Sequence, residues 1–125
     1  MAMGRLQVFH TETQSSTLVV VPLGNISSLS GDVVQSDLEC ILAEFDQRRA
    51  TSAVVDFCHV SYFGSVMLAA VQMIWKRVRS LEGKLGLCNV SQVGREILHV
   101  SKFDSIWPIY DSRQEALEAT KTQAV

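Results

Sequence analysis

Cysteine, proline and long apolar runs are all scarce in this sequence of 125 residues. The three cysteines, Cys40, Cys58 and Cys88, are an odd number without a close pair, which argues against both a disulfide framework and a zinc site. Apolar runs stay far below the roughly 18 residues that a membrane-spanning helix needs, and the first residues lack the apolar core of a signal peptide. We therefore expect a cytoplasmic protein that does not insert into a membrane.

The sequence has no excess of positive charge. Its 11 Lys and Arg residues are outnumbered by 13 Asp and Glu residues, which gives a net charge of -2. Proteins that bind nucleic acid neutralise phosphates with clustered basic residues. Here Lys76, Arg77 and Arg79 gather late in a predicted helix beside Trp75, a pattern more typical of a solvated helix face. We therefore expect no nucleic-acid partner.

Motifs of enzymes and metal sites are missing as well. His10, His59 and His99 lie far apart in sequence, which favours structural or surface roles over metal ligation. Cys58 and His59 are adjacent, so in an extended chain their side chains point to opposite faces and do not form a nucleophile and base. Asp56 ends a predicted inner strand, and we interpret it as the point where the chain meets water. With no Gly-rich phosphate loop either, we expect no enzyme activity, no metal and no cofactor.

Apolar residues, by contrast, make up 47% of the chain, enough for the packed core of one domain over residues 1–125, with its core from about residue 5 to residue 119. The segment RLQVFH alternates like a half-covered strand, TETQSS is its turn, and TLVVVPL is a more buried strand. A helix follows, with Asp32 in its first turn and Arg48 and Arg49 at its end. Its apolar positions are Val34, Leu38, Ile41 and Phe45.

Strands and helices alternate over the rest of the chain. TSAVVDF predicts a strand covered on both faces, and KLGLCNV predicts another. Between them, Ser65 to Leu81 predicts a helix that Gly83 stops. Its apolar positions are Met67, Val71, Ile74, Val78 and Leu81.

The last third predicts a short helix, an edge strand and a final helix. Ser91 opens the short helix, whose apolar side is Val93, Ile97 and Val100. SIWPIY reads as an edge strand because Pro108 cannot donate to a ladder, and DSRQEALEAT starts with the capping-box pair Ser112 and Glu115. The order β β α β α β α β α indicates an α/β fold with a mixed, mostly parallel sheet of about five strands and about four helices.

Ser65 stands where the second long helix begins. The unpaired N–H groups and the positive dipole end of a first helical turn would hold a phosphate favourably. A phosphate would also bring about -1.5 to -2 charges to an apolar surface and disrupt a docked partner. The position of Ser65 on its own favours the simpler interpretation of a plain helix N-cap, because serine occurs there very often.

The span from Ala53 to Leu117 resembles the STAS domain of anti-sigma factor antagonists. It has an apolar strand that ends in Asp56, a serine at the start of the second long helix, and Gly83 before the next strand. It also has NVS at 89–91, a closing aromatic strand and EAL at 115–117. With Gly24 ending the second strand, the resemblance covers nearly the whole chain and implies the STAS (SpoIIAA-like) fold.

The departures from this family fall on its functional loop. The usual pattern is D-S-S-G or D-S-T-G, and this chain has Gly64, Ser65, Val66 and Met67 in those places. The resemblance implies that Ser65 is the candidate phospho-acceptor and that a histidine-kinase-like ATPase, acting as anti-sigma factor, is the partner. Val66 and Met67, with Phe63 just ahead, make the turn more apolar, which suits constant protein contact.

The function that the resemblance implies is that of a non-enzymatic regulatory module in bacterial signal transduction, which docks a kinase, an anti-sigma factor or another signalling protein. The expected contact residues form two segments: Asn25, Ile26, Ser27 and Ser28, then Phe63, Gly64, Ser65, Val66, Met67 and Leu68. The alternative is a STAS scaffold or transport-complex subunit without a phosphoswitch. A small-ligand sensor is a third possibility that no Gly-rich cradle supports.

Overall fold

The computed structural model describes residues 6–24, 31–62 and 64–121. Its first half contains β1 Phe9–Gln14, β2 Thr17–Pro22, α1 Gly31–Gln47 and β3 Ser52–Asp56. Its second half contains α2 Ser65–Ser80, β4 Leu85–Cys88, α3 Gln92–Val100, β5 Ile109–Tyr110 and α4 Arg113–Thr120, with a 3-10 turn at Phe103–Ser105. The predicted order of elements and the predicted fold class are confirmed.

The five strands form one sheet in the order β1-β2-β3-β4-β5. β1 runs antiparallel to β2, and β2, β3, β4 and β5 run parallel to one another. The carboxyl ends of the four parallel strands therefore lie on the same side of the sheet, where the loops after β3 and β4 come together.

The core has two parts because side chains alternate across the sheet. On β3, Ala53 and Val55 join the large cluster beneath α1 and α2, whereas Val54 joins a small cluster with Cys88 and Ala116 of α4. All of β3 is buried, as predicted for a strand covered on both faces. Most of the apolar positions predicted for α1 and α2 are also confirmed as buried: Val34, Leu38, Ile41, Phe45, Met67, Val71, Ile74 and Val78. Leu81 follows the last residue of α2 and is only partly buried.

The hairpin prediction is wrong in detail. Residues 11–14, expected in the turn, continue β1 and pair with β2 as far as Gln14↔Thr17. The turn consists of Ser15 and Ser16 alone, and Ser15 takes a left-handed conformation with φ 55°. The prediction failed because β1 is an edge strand, in which the polar residues that resemble a turn are half-buried or exposed.

Gly83 does not supply the left-handed stop that was predicted for α2. Glu82 takes that conformation, with φ 60°, and the Gly83 N–H donates to the Val78 carbonyl at 2.9 Å. Gly83 is required for a different reason: a Cβ there would overlap the carbonyl oxygen of Thr51. The glycine allows the α2–β4 connection to cross closely over the start of β3.

The apolar side predicted for α3 is correct only at Ile97, which is half-buried and packs against the main core. Val93 and Val100 are 47% and 80% exposed, and the residues that α3 buries are Gly94 and Leu98. The cap is as predicted, because the Ser91 hydroxyl accepts from the Gly94 N–H at 3.0 Å. Within the described residues, no helix is long and apolar enough to cross a membrane.

Candidate functional site

The candidate site is built on the loop that joins β3 to α2, residues 57–64, which we call the β3–α2 turn. Phe57 and Val60 anchor it, being 1% and 4% exposed, and the Val60 N–H donates to the Phe57 carbonyl at 2.9 Å. The Ser91 hydroxyl also donates to the Ser61 carbonyl at 2.8 Å. This bond connects the turn to the start of α3. The turn is therefore fixed at one end by β3, which it follows directly, and in its middle by α3.

Ser65 is exposed and is the first residue of α2. Gly64 precedes it in an extended conformation, with φ -115° and ψ -154°, and has no side chain to cap the helix. The first-turn N–H groups of this 16-residue helix have no intrahelical partner, and Gly64 cannot supply the capping oxygen that Ser, Thr, Asp or Asn would provide at its position. A negative group on Ser65 would lie at the positive end of the helix dipole.

The side chains after Ser65 divide between surface and core. Val66 and Leu68 are partly buried, so each keeps some exposed apolar surface. Met67 is 1% exposed and packs in the main core, which corrects its prediction as a contact residue. The other predicted contacts, Phe63 and Asn25 to Ser28, lie outside the described residues.

An apolar groove between α1 and α2 begins at Val66. Its volume is about 330 Å³. Val34 and Leu38 line the α1 side, Ala69 and Met73 line the α2 side, and Lys76 is also among the lining residues. The lining is thus mostly apolar and continues the surface that Val66 starts.

Beneath the turn, Asp56 is buried rather than meeting water, since it is only 3% exposed. Its Oδ1 accepts from the Cys58 N–H at 3.0 Å and from Asn89 Nδ2 at 2.9 Å. Its Oδ2 accepts from Arg113 Nε at 2.8 Å. Burial would raise the pKa of Asp56, but the hydrogen bonds from Asn89, Arg113 and Cys58 outweigh it and hold the pKa below the ordinary value.

Arg113 and Glu12 complete this cluster, and sequence reasoning missed both. Arg113 lies at the start of α4, and its Nη1 also contacts Glu12 Oε1 of β1 at 3.3 Å. The cluster therefore connects β1, the end of β3, the β4–α3 loop and α4. Asn89 takes the left-handed conformation, with φ 56°, which places its amide toward Asp56. The one signal in the sequence was an acidic residue at the end of a buried strand, because a buried carboxylate needs hydrogen-bond donors or a cation beside it.

His, Cys, Asp and Glu are the residues that could hold a metal ion in the part of the chain that the structure describes. No group of three or more His, Cys, Asp or Glu there could hold a metal ion. Cys58 is exposed, and Cys88 is fully buried. Burial, together with the nearby Asp56 carboxylate, raises the pKa of the Cys88 thiol to about 12.

A sequence model of the STAS domain matches residues 9–116. A similar protein is BtrV of Bordetella bronchiseptica, which is named as a candidate anti-sigma factor antagonist. The two are 29% identical over 105 residues, which cover 84% of this chain and 87% of BtrV.

Two solved structures are similar in fold. The anti-sigma factor antagonist SpoIIAA in its unphosphorylated form matches with a TM-score of 0.76 at 19% identity, over 94% of this chain and 99% of that one. An anti-sigma factor antagonist from Mycobacterium paratuberculosis matches with a TM-score of 0.75 at 20% identity, over 91% of this chain and 93% of that one. These likenesses agree with the sheet order and helix placement described above.

Proposed function

This chain belongs to the STAS domain family, and we propose that it is a non-enzymatic regulatory module that docks a protein partner through the start of α2. The proposed partner is an anti-sigma factor of the histidine-kinase-like ATPase type. The observation that carries this proposal is the exposed Ser65 at the start of a long helix, where the preceding Gly64 has no side chain to cap the first turn. A kinase can reach the hydroxyl of Ser65, and the helix end stabilises the phosphate that it would add.

The surface around Ser65 suits a protein partner better than a small polar ligand. Val66 and Leu68 offer partly exposed apolar surface, and Tyr62 is 47% exposed on the preceding turn. No acidic residue lies in the first turn of α2. A phosphate on Ser65 would place a strong negative charge on this apolar surface, so modification would oppose docking.

The first experiment asks whether Ser65 is modified. The tagged full chain is isolated from its own cells, and its intact mass is measured with that of Ser65→Ala and Ser80→Ala. Ser80 is the matched control, because it is an exposed serine at the opposite, negative end of the same helix. We expect a species heavier by about 80 Da, one phosphoryl group, that is present in Ser80→Ala and lost in Ser65→Ala. Persistence of that species in Ser65→Ala would refute the assignment of the phospho-acceptor.

The second experiment asks whether the start of α2 is the docking surface. Val66→Asp should weaken binding of the co-purified ATPase by about tenfold or more, because it puts a charge into an apolar contact. Val93→Asp is the control, since Val93 is 47% exposed on α3 and its change adds the same charge. Equal binding by Val66→Asp and the unaltered chain would exclude this surface.

Gly64 and Val66 give a specific reason to keep the alternative, a scaffold or transport-complex subunit without a phosphoswitch. In these places the usual family pattern has an aspartate and a second hydroxyl. The alternative is supported if scaffold or transport subunits co-purify with the chain, Val66→Asp releases them and only the unmodified mass is found. Docking at α2 would then stand while the phosphoswitch would fail.

A further inference from the structure

The outer edge of β1 is long and regular. β1 pairs with β2 in one unbroken register, from Phe9↔Pro22 to Gln14↔Thr17, so it contains no bulge. Among the strands that the structure describes, none pairs with its other side. Within the described residues, six residues of extended backbone therefore present an edge that no strand pairs with.

The hydrogen-bond pattern shows which backbone groups lie on that edge. The Leu23 N–H donates to the Val8 carbonyl at 2.9 Å, and Pro22, opposite Phe9, has no N–H to give. In an antiparallel pair, such bonds alternate along the strand. The even-numbered residues of β1 therefore bond to β2, and the N–H and C=O groups of Phe9, Thr11 and Thr13 point outward.

The two edges of the sheet differ in how they are protected. At the other edge, β5 has only two residues and directly follows Pro108, features that discourage further pairing. β1, of sequence FHTETQ, has no proline, lysine or glycine. A long edge left without these protections is suited to pairing with another strand.

The side chains of β1 indicate what that other strand is. His10 and Glu12 carry side chains that are 56% and 42% exposed, and they lie 3.3 Å apart at His10 Nε2 and Glu12 Oε2. They share one face of the strand, because they are two residues apart. The strand thus carries a hydrogen-bond donor and a carboxylate symmetrically on either side of Thr11.

We propose that β1 pairs antiparallel with β1 of a second copy of this chain, about a two-fold axis that passes through Thr11. This register overlaps residues 8–14 and aligns the outward groups of Phe9, Thr11 and Thr13 with those of the second copy. It also sets His10 opposite Glu12 of the second copy, twice. An axis through Glu12 would oppose two carboxylates, and an axis through His10 would oppose two imidazoles. Of these three registers, that of Thr11 is the one that sets each imidazole opposite a carboxylate.

The resulting dimer has one continuous sheet of two five-stranded halves. Its interface is small compared with that of a stable dimer, so we expect association that depends on concentration. This inference goes beyond the proposed function and does not rest on it. The start of α2 follows β3, two strands away from the paired edge.

The charge arrangement can be tested at His10, for which the described contact is with Glu12 of the same strand. Sedimentation equilibrium of the purified full chain would be measured over a concentration series, with His10→Lys and His10→Glu. We expect a monomer–dimer equilibrium that His10→Lys strengthens and His10→Glu weakens, by about tenfold between the two variants. A chain that stays monomeric at all soluble concentrations, or two variants with the same dimer affinity, would overturn the proposal.

The backbone contribution can be tested at Thr11. Thr11→Pro removes an outward N–H that the ladder to β2 does not use, and Thr11→Ala is the matched control. Both variants lose the bond from the Thr11 hydroxyl to Glu44 Oε1 at 2.9 Å, so they differ in the backbone alone. We expect Thr11→Ala to dimerise and Thr11→Pro to be a folded monomer by circular dichroism. Equal dimerisation of both would contradict the proposal, and if Thr11→Pro does not fold, the two His10 variants decide.

Discussion

Replacement of Asp56 by asparagine tests whether the buried cluster at the end of β3 stabilises the fold. Asparagine keeps one oxygen to accept from the Cys58 N–H and Asn89. Its amide, however, would bring an N–H against Arg113 Nε, which lies 2.8 Å from Asp56 Oδ2. The variant therefore loses a charge-assisted hydrogen bond and leaves two donors facing each other.

The size of the effect follows from how much of the pair is buried. Removal of one partner of a fully buried ion pair costs about 3–5 kcal/mol. Here Asp56 is buried but the Arg113 side chain is 31% exposed, so water can rehydrate the guanidinium in part. We expect Asp56→Asn to lower the free energy of unfolding by about 2–3 kcal/mol at pH 7.

The effect must also depend on pH in one direction. The pKa of Asp56 is lowered from 3.8 in the folded state, so folding favours the carboxylate. Its stabilisation is complete well above the unfolded pKa and is lost as the pH falls through the lower, folded value. The difference between the unaltered chain and Asp56→Asn should therefore shrink at pH values below about 4.

Urea unfolding, followed by circular dichroism at a series of pH values, measures both quantities. Asp111→Asn is the control, because it removes a carboxylate that is 86% exposed and bonded to Arg95 at 3.0 Å. We expect this surface change to cost no more than about 0.5 kcal/mol. The reasoning fails if Asp56→Asn costs as little as the control at pH 7, or if its cost does not change with pH.

Two further predictions concern packing and thiol chemistry. Gly83→Ala should destabilise the fold severely, because its Cβ would overlap the Thr51 carbonyl oxygen. Gly64→Ala is the control and should melt at nearly the temperature of the unaltered chain, because a Cβ there has no neighbour closer than 3.6 Å. Similar melting temperatures for the two variants would refute this prediction. Cys58 is exposed and should react with a thiol reagent in the native protein. Cys88 should react only when the protein unfolds, because it is fully buried and its pKa is raised to about 12. Mass spectrometry of the labelled peptides measures both reactions. Rapid native labelling of Cys88 would contradict the packing of α4 on the sheet.

The order of elements could be predicted from the sequence because it depends on local patterns. The apolar spacing of α1 and α2 and the short buried run of β3 each occupy one continuous segment, and all three elements formed where expected. The hydroxyl of Ser112 accepts from the Glu115 N–H at 3.1 Å, as the capping-box spacing predicted. Such signals involve neighbours within a few residues, so no knowledge of the tertiary structure is needed.

The face that a helix buries is a different matter when both faces are apolar. On α3, Val93, Ile97 and Val100 have a helical spacing as regular as that of a core face. In the structure Gly94 and Leu98 are buried, Ile97 is only half-buried, and Val93 and Val100 are exposed. Periodicity alone detects an apolar face but cannot tell which of two faces meets the sheet.

The buried cluster was beyond sequence reasoning for a related physical cause. Asp56 and Arg113 are 57 residues apart, and Arg113 and Glu12 are 101 residues apart, so no local pattern connects them. The sequence did show that a carboxylate ends a strand predicted to be covered on both faces. A carboxylate in such a place needs hydrogen-bond donors. In a sheet of parallel strands those donors come from the loop after the next strand or from a helix packed across the strand ends. Asn89 and Arg113 lie in those two places, so a buried acidic residue at a parallel strand end is better read as half of a pair than as a contact with water.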